Sequence, residues 1–333
     1  MCIGWPPLVY LVRVVLYSFI VTSIRKLSLL VLLGGFVACH PAGEPLRFAL
    51  PAGEPTSGIL FVSTRDGNEE LYLVQADGRG LTRLTSEPAV DSDPAWSPDG
   101  RQIAFRSRRD GSSDIFIMDP AGAQATNLLN DPRDSVDDEF YPRWDPAGER
   151  LAIYTDRPPY IGCSPHMLAI ISLSSGLEGI VRASTSAESF TWQPDGQTIL
   201  FSTPCRGSGV RLAVWDPTAD RITGFAPALD IPLVARPDFS PDGRFLAFQG
   251  TVEGNADIYL LEMSTGRVTN LTNHPATDAH PTWSPDGRYI AFSTNRDGND
   301  EIYVMDRSGQ QPRNLTQNPA PDTRPHWSPV PPP

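Results

Sequence analysis

The chain contains 333 residues, 40% of them hydrophobic, and its formal net charge is -12. This acidic balance argues against nucleic-acid binding, because phosphate contacts require a basic patch that releases counterions. The length allows a large core to be buried, and the 34 prolines fit a chain of short strands and turns.

The first 38 residues are typical of a targeting segment and are set apart from the fold. Two basic residues precede an apolar run at 27–38, which is too short to span a bilayer because spanning needs about 20 helical residues. The run ends in Phe-Val-Ala-Cys39, which resembles the signal of bacterial lipoproteins. Plain secretion is one alternative, and an uncleaved anchor that includes the apolar stretch at 8–21 is another. All three place the body of the protein outside the cytoplasm, in the periplasm or at the cell surface, and lipidated Cys39 would tether it to the membrane.

Residues 39–57 are expected to form the lipidated cysteine and a flexible, proline-containing tether. A short proline-rich tail at 329–333 cannot continue a strand, because proline has no backbone N–H to donate. Cys163 and Cys205 fall in comparable loops of neighbouring repeats, and an exported protein would permit a disulfide between them. Two free thiols are the alternative, since similar positions in the repeat do not guarantee the short Cα–Cα distance that a disulfide needs.

The body of the chain repeats the phrase Trp-Ser-Pro-Asp-Gly at intervals of 44 to 48 residues. That period suits a four-stranded propeller blade, which usually takes about 40 to 45 residues. We call the first residue of each phrase the lead aromatic and interpret it as core between blades, and we interpret Trp215 in the same way. The lead aromatics are Trp96, Trp144, Trp192, Phe239, Trp283 and Trp327.

The unit at 281–316 shows the plan of one repeat most clearly. Its Pro285-Asp-Gly sequence favours a tight turn after the first strand, and Arg296-Asp-Gly-Asn favours a hairpin later in the unit. The first predicted strand ends at Ser284, and the next three cover 289–294, 301–306 and 313–316.

The first unit begins at Gly58 with the second strand of this plan, and no copy of the phrase precedes it. Residues 324–328 repeat the first-strand sequence and then stop, so the C-terminal strand should complete the first blade. The sequence therefore predicts an all-β protein, a six-bladed β-propeller of four-stranded antiparallel blades over 58–328. Closure by the C-terminal strand removes free sheet edges.

Several phrases that recur in register resemble the repeats of TolB-type β-propellers, also described as WD40-like or PD40 repeats. In the second unit they are Pro94-x-Trp-Ser-Pro-Asp-Gly100, Ile103-Ala-Phe105, Arg109-Asp-Gly111 and 114–119. The resemblance implies an extracytoplasmic binding scaffold with partners docking at one mouth of the ring. Because the ring carries no catalytic constellation, we expect a non-catalytic, monomeric protein of the bacterial cell envelope that binds a protein or peptide partner. Similar propellers occur beside peptidase domains and in carbohydrate lyases. The sequence has no Gly-x-Ser-x-Gly elbow for a nucleophile, so no catalytic residue is assigned.

The first strand of each blade should line the central channel, and the residues three and one before the lead aromatic should share one face because side chains alternate along a strand. We therefore predict a binding site at the channel mouth from positions -3 and -5, counted back from the lead aromatic. The -3 residues are Asp93, Tyr141, Ser189, Arg236, His280 and Arg324. The -5 residues are Asp91, Glu139, Ala187, Val234, Asp278 and Asp322, and their carboxylates would form an acidic entrance that attracts cations. A hydrated pore with mutually neutralising charges is the alternative.

His280 and His326 lie on neighbouring inner strands and, with Asp278 or Asp322, have side chains of the kind that bind divalent metals. The sequence has no closely spaced His or Cys motif, so we expect neither a metal nor a cofactor. A lyase-like enzyme or sugar-binding propeller that uses the same histidines and acids is the second hypothesis for function.

Overall fold

The computed structural model describes residues 57–128, 138–156, 167–174, 176–180, 190–203, 211–225, 229 and 231–329. These residues form 24 β-strands, β1 to β24, in six four-stranded antiparallel sheets. The predicted fold class, a six-bladed all-β propeller, is confirmed. Within the described ranges, no helix has the length and apolar character needed to cross a membrane. The targeting segment at 1–38, Cys39, Cys163 and Cys205 lie outside the described residues.

Each blade contains an inner, a second, a third and an outer strand. The inner strands are β4 (Asp91–Trp96), β8 (Glu139–Trp144), β12 (Phe190–Trp192), β16 (Leu233–Phe239), β20 (Asp278–Trp283) and β24 (Asp322–Trp327). The second strands are β1 (Gly58–Ser63), β5 (Ile103–Ser107), β9 (Arg150–Thr155), β13 (Ile199–Thr203), β17 (Phe245–Val252) and β21 (Tyr289–Thr294). The third strands are β2 (Glu70–Gln75), β6 (Asp114–Met118), β10 (Met167–Ser172), β14 (Arg211–Asp216), β18 (Asn255–Glu262) and β22 (Glu301–Asp306). The outer strands are β3 (Thr82–Arg83), β7 (Thr126–Asn127), β11 (Gly176–Ile180), β15 (Arg221–Gly224), β19 (Val268–Asn270) and β23 (Arg313–Asn314).

The ring is closed by the C-terminal strand. The first sheet has the order β24-β1-β2-β3, so the last strand of the chain is the inner strand of the first blade. Ile59 pairs with Trp327 at one end of this contact and Ser63 pairs with Asp322 at the other. Beyond the paired strands, the Ser328 N–H donates to the Gly58 carbonyl at 2.7 Å. The predicted closure of the first blade is therefore confirmed.

The core lies between neighbouring blades, where the lead aromatics pack. Trp144 packs with residues of the preceding blade, including Ala95 and Ile115. Its indole N–H donates to the Ala95 carbonyl at 3.1 Å, and Trp192 and Trp283 make the same bond to the blade before each of them. The five lead tryptophans are therefore buried interblade core, as predicted, while Phe239 is only partly buried and packs against a hydrophobic core cluster; Trp215 is also buried.

The turn after each lead aromatic holds neighbouring blades in register. In the second blade, Ser97 accepts the Gly100 N–H through its carbonyl at 2.9 Å, and its hydroxyl donates to Asp99. The glycine of the next turn, Gly148, has a φ of 72°, and a Cβ at this residue would lie 3.4 Å from Pro98 of the preceding blade. The turn proline of one blade thus contacts the turn glycine of the next blade, which explains why both residues recur in the Trp-Ser-Pro-Asp-Gly phrase.

Candidate binding site in the channel

Five inner strands contain a β-bulge at the -3 residue and the proline that follows it, and the sixth, β12, is described only from Phe190 onward. In β4, Ser92 pairs with Arg106 and Ala95 with Ala104, so Asp93 and Pro94 together lie opposite one residue. The five -3 residues have φ values of 52° to 55°, in the left-handed region. This conformation costs a non-glycine residue about 1–2 kcal/mol. Here it recurs at the -3 position, which the sequence had marked as part of the candidate binding site. The five are Asp93, Tyr141, Arg236, His280 and Arg324.

The bulge changes which side chains share a face. A strict alternation would place -5, -3 and -1 on one face, but the extra residue interrupts that alternation. The sequence carried a signal for the interruption, because proline occurs at -2 in five of the inner strands and proline inside a strand marks an edge or a bulge.

The structure brings the described -3 residues together around a cavity of about 30 Å³, which we call the polar chamber. Ser189, the sixth predicted member of this ring, lies outside the described residues. Four side chains at -1 also line it: Arg143, Asp238, Thr282 and His326. Of these, only His326 was a candidate residue from the sequence, in the alternative in which it acts with His280.

The carboxylates at -5 lie within their own blades and not in the polar chamber. Asp91, Asp278 and Asp322 have no exposed surface and do not line the polar chamber. Each accepts a hydrogen bond from the arginine of an Arg-Asp-Gly hairpin in its own blade: Arg109 at 2.9 Å, Arg296 at 3.0 Å and Arg65 at 2.7 Å, respectively.

These ion pairs are parts of the blades. Burial raises the pKa of the Asp91 and Asp322 carboxyls even though an arginine lies beside each of them. Glu139 and Val234, at the same position in other blades, are also buried, and Ala187 lies outside the described residues. The three units with aspartate at -5 also contain an Arg-Asp-Gly hairpin, and the unit with valine at -5 does not. The sequence therefore contained a signal that the -5 aspartate pairs with the hairpin arginine.

The polar chamber contains more cationic than anionic side chains. Arg143, Arg236 and Arg324 face Asp93 and Asp238 across it. Asp93 forms ion pairs with two arginines. Its carboxylate lies 2.9 Å from Nε of Arg324 and 3.4 Å from Nε of Arg106, which is not part of the chamber lining. The Glu69 carboxylate lies 3.7 Å from Arg324 and 3.9 Å from Arg106, so the acidic and basic side chains in and around the chamber form a network of ion pairs.

Burial shifts the ionisation of these groups. It lowers the pKa of Arg236 to about 9, with the nearby Arg324 acting in the same direction, and it also lowers the pKa of Arg143. It raises the pKa of Asp238 to about 6, although the Trp283 N–H donates to this carboxylate at 2.9 Å. At neutral pH Arg236 is therefore protonated and Asp238 is mostly ionised.

The two histidines of the chamber are neutral, because burial lowers the pKa of His326 to about 3 and that of His280 well below its usual value. Ser293 donates its hydroxyl hydrogen to the Ala279 carbonyl at 3.2 Å and so accepts from His280 Nδ1 at 2.9 Å. This arrangement places the ring hydrogen of His280 on Nδ1. The Trp96 N–H donates to Nδ1 of His326 at 3.4 Å, which selects the opposite tautomer there.

A second cavity, of about 260 Å³, lies further along the channel toward the Trp-Ser-Pro-Asp-Gly turns. Aromatic rings and turn prolines form much of its lining, so we call it the apolar chamber. Arg143, Asp238 and His326 line both cavities and lie between them. The -1 side chains thus separate a charged chamber on the side where the inner strands begin from an apolar one on the side where they end.

Among the residues that the structure describes, no three His, Cys, Asp or Glu side chains are grouped so that they could hold a metal ion. In particular, Asp278 and Asp322, the carboxylates considered for a metal with the two histidines, are bound to Arg296 and Arg65.

Comparisons with known proteins agree with this architecture. A family model described as the TolB beta propeller domain matches residues 48–221 and 232–331. A protein TolB homolog of Chlorobium luteolum is 27% identical over 211 residues, which are 63% of this chain and 35% of the relative. A Tol-Pal system protein TolB of Geobacter sulfurreducens is 43% identical over 51 residues, 15% of this chain and 12% of the relative. The matches thus span only about a third or less of the length of these relatives.

The crystal structure of TolB from Acinetobacter baumannii superimposes with a TM-score of 0.64 at 20% identity. The superposition covers 82% of this chain and 66% of that one. At this identity the likeness supports the fold alone.

Proposed function

Because the chain belongs to the TolB β-propeller domain family, we propose that it is a non-catalytic scaffold of the bacterial cell envelope that binds a protein or peptide partner at the polar chamber. One observation carries the proposal. Five inner strands repeat the same strained bulge, and the side chains that they present are of four types: Asp93, Tyr141, His280 and the two arginines Arg236 and Arg324.

This pattern separates positions that build the ring from positions that give the site its chemistry. The lead aromatics, the turn phrase and the Arg-Asp-Gly hairpins recur because they make the same interblade and intrablade contacts. The -3 side chains vary among blades, with arginine in two of the five, although their backbone conformation is the same. Backbone strain of this kind persists where the surrounding structure over-determines it, and it concentrates at functional sites.

The closed ring explains how such a site would bind. The chamber side chains lie on inner strands that are fixed on both sides by neighbouring blades, so they are already ordered before a partner arrives. Preorganisation reduces the conformational entropy lost on association. Relatives named for the Tol-Pal system support a role in the cell envelope, and lipidated Cys39 would hold the propeller at the membrane.

A pull-down from envelope extracts tests the proposal. Wild-type protein is compared with Arg236→Ala and Arg324→Ala in the chamber and with Arg101→Ala, whose side chain is 85% exposed on a turn. We expect one or more proteins to be retained by the wild type and by Arg101→Ala, and to be lost with both chamber variants. Equal retention by all four proteins would rule out the chamber as the docking site.

A second assay tests the non-catalytic assignment. The purified protein is incubated with polyuronides and divalent metal, and unsaturated products are followed by their absorbance. No product is expected, and product that disappears in a His280→Ala variant would establish the lyase alternative instead.

A further inference from the structure

We propose that the apolar chamber is a groove for a proline-rich segment, and that its occupant is the Val-Pro-Pro-Pro sequence at 330–333 of the same chain. These four residues lie outside the described part of the structure. The inference concerns the end of the channel where the inner strands stop, so it goes beyond the proposed function and does not depend on a partner at the polar chamber.

The lining of the apolar chamber is the first step of the argument. Four consecutive blades, the second to the fifth, each contribute the lead aromatic and the turn proline of the repeat phrase. Pro146, Pro194 and Pro241 are exposed, so the chamber opens to solvent at the turns. Aromatic-lined grooves bind proline-rich segments, which enter them in the extended polyproline II conformation. The four pairs are Trp96 and Pro98, Trp144 and Pro146, Trp192 and Pro194, and Phe239 and Pro241.

The course of the chain after β24 is the second step. His326 of this strand lines the apolar chamber, and the Ser328 N–H is held by the Gly58 carbonyl at 2.7 Å. Pro329 is the last described residue, and in the repeat phrase it stands where the second to fifth blades have their chamber-lining proline. Residues 330–333 therefore begin beside the chamber.

The first blade leaves this segment without a role in its own sheet. In the other blades the turn proline is followed by Asp-Gly or Ala-Gly, and the chain returns into the second strand. The second strand of the first blade is β1, which comes from the start of the propeller and already pairs with β24. No turn has to follow Pro329, so the next four residues are available for the groove.

The segment also suits the groove in length and charge. Polyproline II rises about 3.1 Å per residue, so four residues reach about 12 Å, enough to cross a cavity of about 260 Å³. Val-Pro-Pro-Pro has no charged side chain, and the two charged residues of the lining, Arg143 and Asp238, attract each other. Proline fixes φ, so the segment loses little conformational entropy when it docks.

The test compares the full-length chain with a truncation that ends at Pro329 and with a variant that has Gly-Ser-Gly-Ser at 330–333. The probe is the peptide N-acetyl-Val-Pro-Pro-Pro-amide, titrated while the indole N–H signals of the tryptophans are followed by NMR. We expect it to bind both altered proteins at least about 10-fold more tightly than the wild type, because the attached segment competes at an effective concentration in the millimolar range. Equal affinity for the wild type and the truncation, or binding to neither, would overturn the proposal.

The same spectra show where the segment lies. Truncation should shift the indole signals of Trp144 and Trp192, which line the apolar chamber, and leave those of Trp215 and Trp283, which are not part of its lining. Adding the probe to the truncated protein should return the shifted signals toward their wild-type positions. Signals of Trp144 and Trp192 that do not respond to truncation contradict the proposal.

Two turn variants of the truncated protein provide a matched control. Pro146→Ser removes a proline ring from the chamber lining, whereas Pro285→Ser makes the same change in the sixth blade, at a turn outside that lining. Pro146→Ser should weaken binding of the probe about 5-fold, because apolar ring area is lost from the groove, and Pro285→Ser should leave it unchanged. Equal weakening by both would refute the location. Thermal midpoints verify that the variants are folded, and if Pro146→Ser is not, the comparison of wild type with truncation decides alone.

Light scattering at increasing protein concentration distinguishes docking within one chain from exchange between two copies. We expect the wild type and the truncation to have the same mass at every concentration. A wild-type dimer that is lost on truncation would place the segment in the chamber of a second copy and overturn the assignment to its own chain.

Discussion

Replacing Asp322 by alanine tests whether the -5 carboxylates stabilise the blades. Asp322 is fully buried in β24, the strand that closes the ring, and its partner Arg65 is only 12% exposed. Removing one partner of a buried ion pair costs about 3–5 kcal/mol, because the other charge is left without compensation. Arg65 retains its bond to the Ser63 hydroxyl at 2.8 Å and its position over the Tyr72 ring. We therefore expect the low end of that range, about 3 kcal/mol.

The expected shift in the unfolding midpoint follows from this figure. Large domains lose about 2 °C for each kcal/mol, so Asp322→Ala should unfold roughly 6 °C below the wild type. Asp322→Asn should cost less. Burial raises the pKa of the Asp322 carboxyl, so its surroundings oppose the charge that asparagine removes, and an amide oxygen still accepts from Arg65.

Thermal unfolding followed by circular dichroism measures these shifts. Asp278→Ala is the matched comparison, because Asp278 makes the same pair with Arg296 in a blade that is continuous in the chain. Arg101→Ala is the surface control, and it should lie within about 0.5 kcal/mol of the wild type. If Asp322→Ala lowers the midpoint no more than Arg101→Ala does, the structural role inferred for the -5 carboxylates is wrong. Folded Asp322→Ala protein should also retain the partner captured through the polar chamber.

Three further predictions concern turns, interblade contacts and pH. In denaturant unfolding, Gly122→Ala should lower stability more than Gly111→Ala. Both glycines have positive φ, but only a Cβ at Gly122 would clash with a backbone oxygen, that of Leu84, and equal effects would contradict the clash. Trp144→Phe should lower the free energy of unfolding by about 1 kcal/mol or more, because the Ala95 carbonyl loses its indole donor. An unchanged midpoint of unfolding would show that this hydrogen bond is dispensable. Burial in the folded state raises the pKa of the Asp238 carboxyl to about 6, so the folded protein binds the carboxyl proton more tightly than the unfolded chain does. The free energy of unfolding should therefore fall as the pH rises from about 4 to 6. The advantage of the wild type over Asp238→Asn in unfolding free energy should therefore be about 2 kcal/mol larger at pH 4.5 than at pH 7.5, and a difference independent of pH would refute the shift.

Most of the architecture was predictable because it rests on local chemistry that repeats. The Trp-Ser-Pro-Asp-Gly turn needs a proline, a short polar side chain and a glycine with positive φ, as Gly100 shows with a φ of 69°. Its period gave the number of blades, and its incomplete last copy at Trp327 predicted that the C-terminal strand belongs to the first blade. The register of β24 on β1 confirms this.

The candidate site was predictable only in part. The -3 residues were selected by alternation along a regular strand, and the described members of that ring do line one chamber. Alternation also selected Asp91, Asp278 and Asp322, which lie on the other side of the bulge and bind arginines of their own blades.

The sequence by itself determined the elements that recur: the period, the turns, the interblade aromatics and the closure of the ring. Each of these depends on neighbours in the same or an adjacent repeat, so its signature is visible wherever the repeat occurs. Tertiary structure alone decided which side chains meet in the channel. Arg143, Asp238 and His326 come from three different blades and lie together only because the ring closes around them. Their shifted pKa values likewise arise from burial among one another, a property that no single repeat contains.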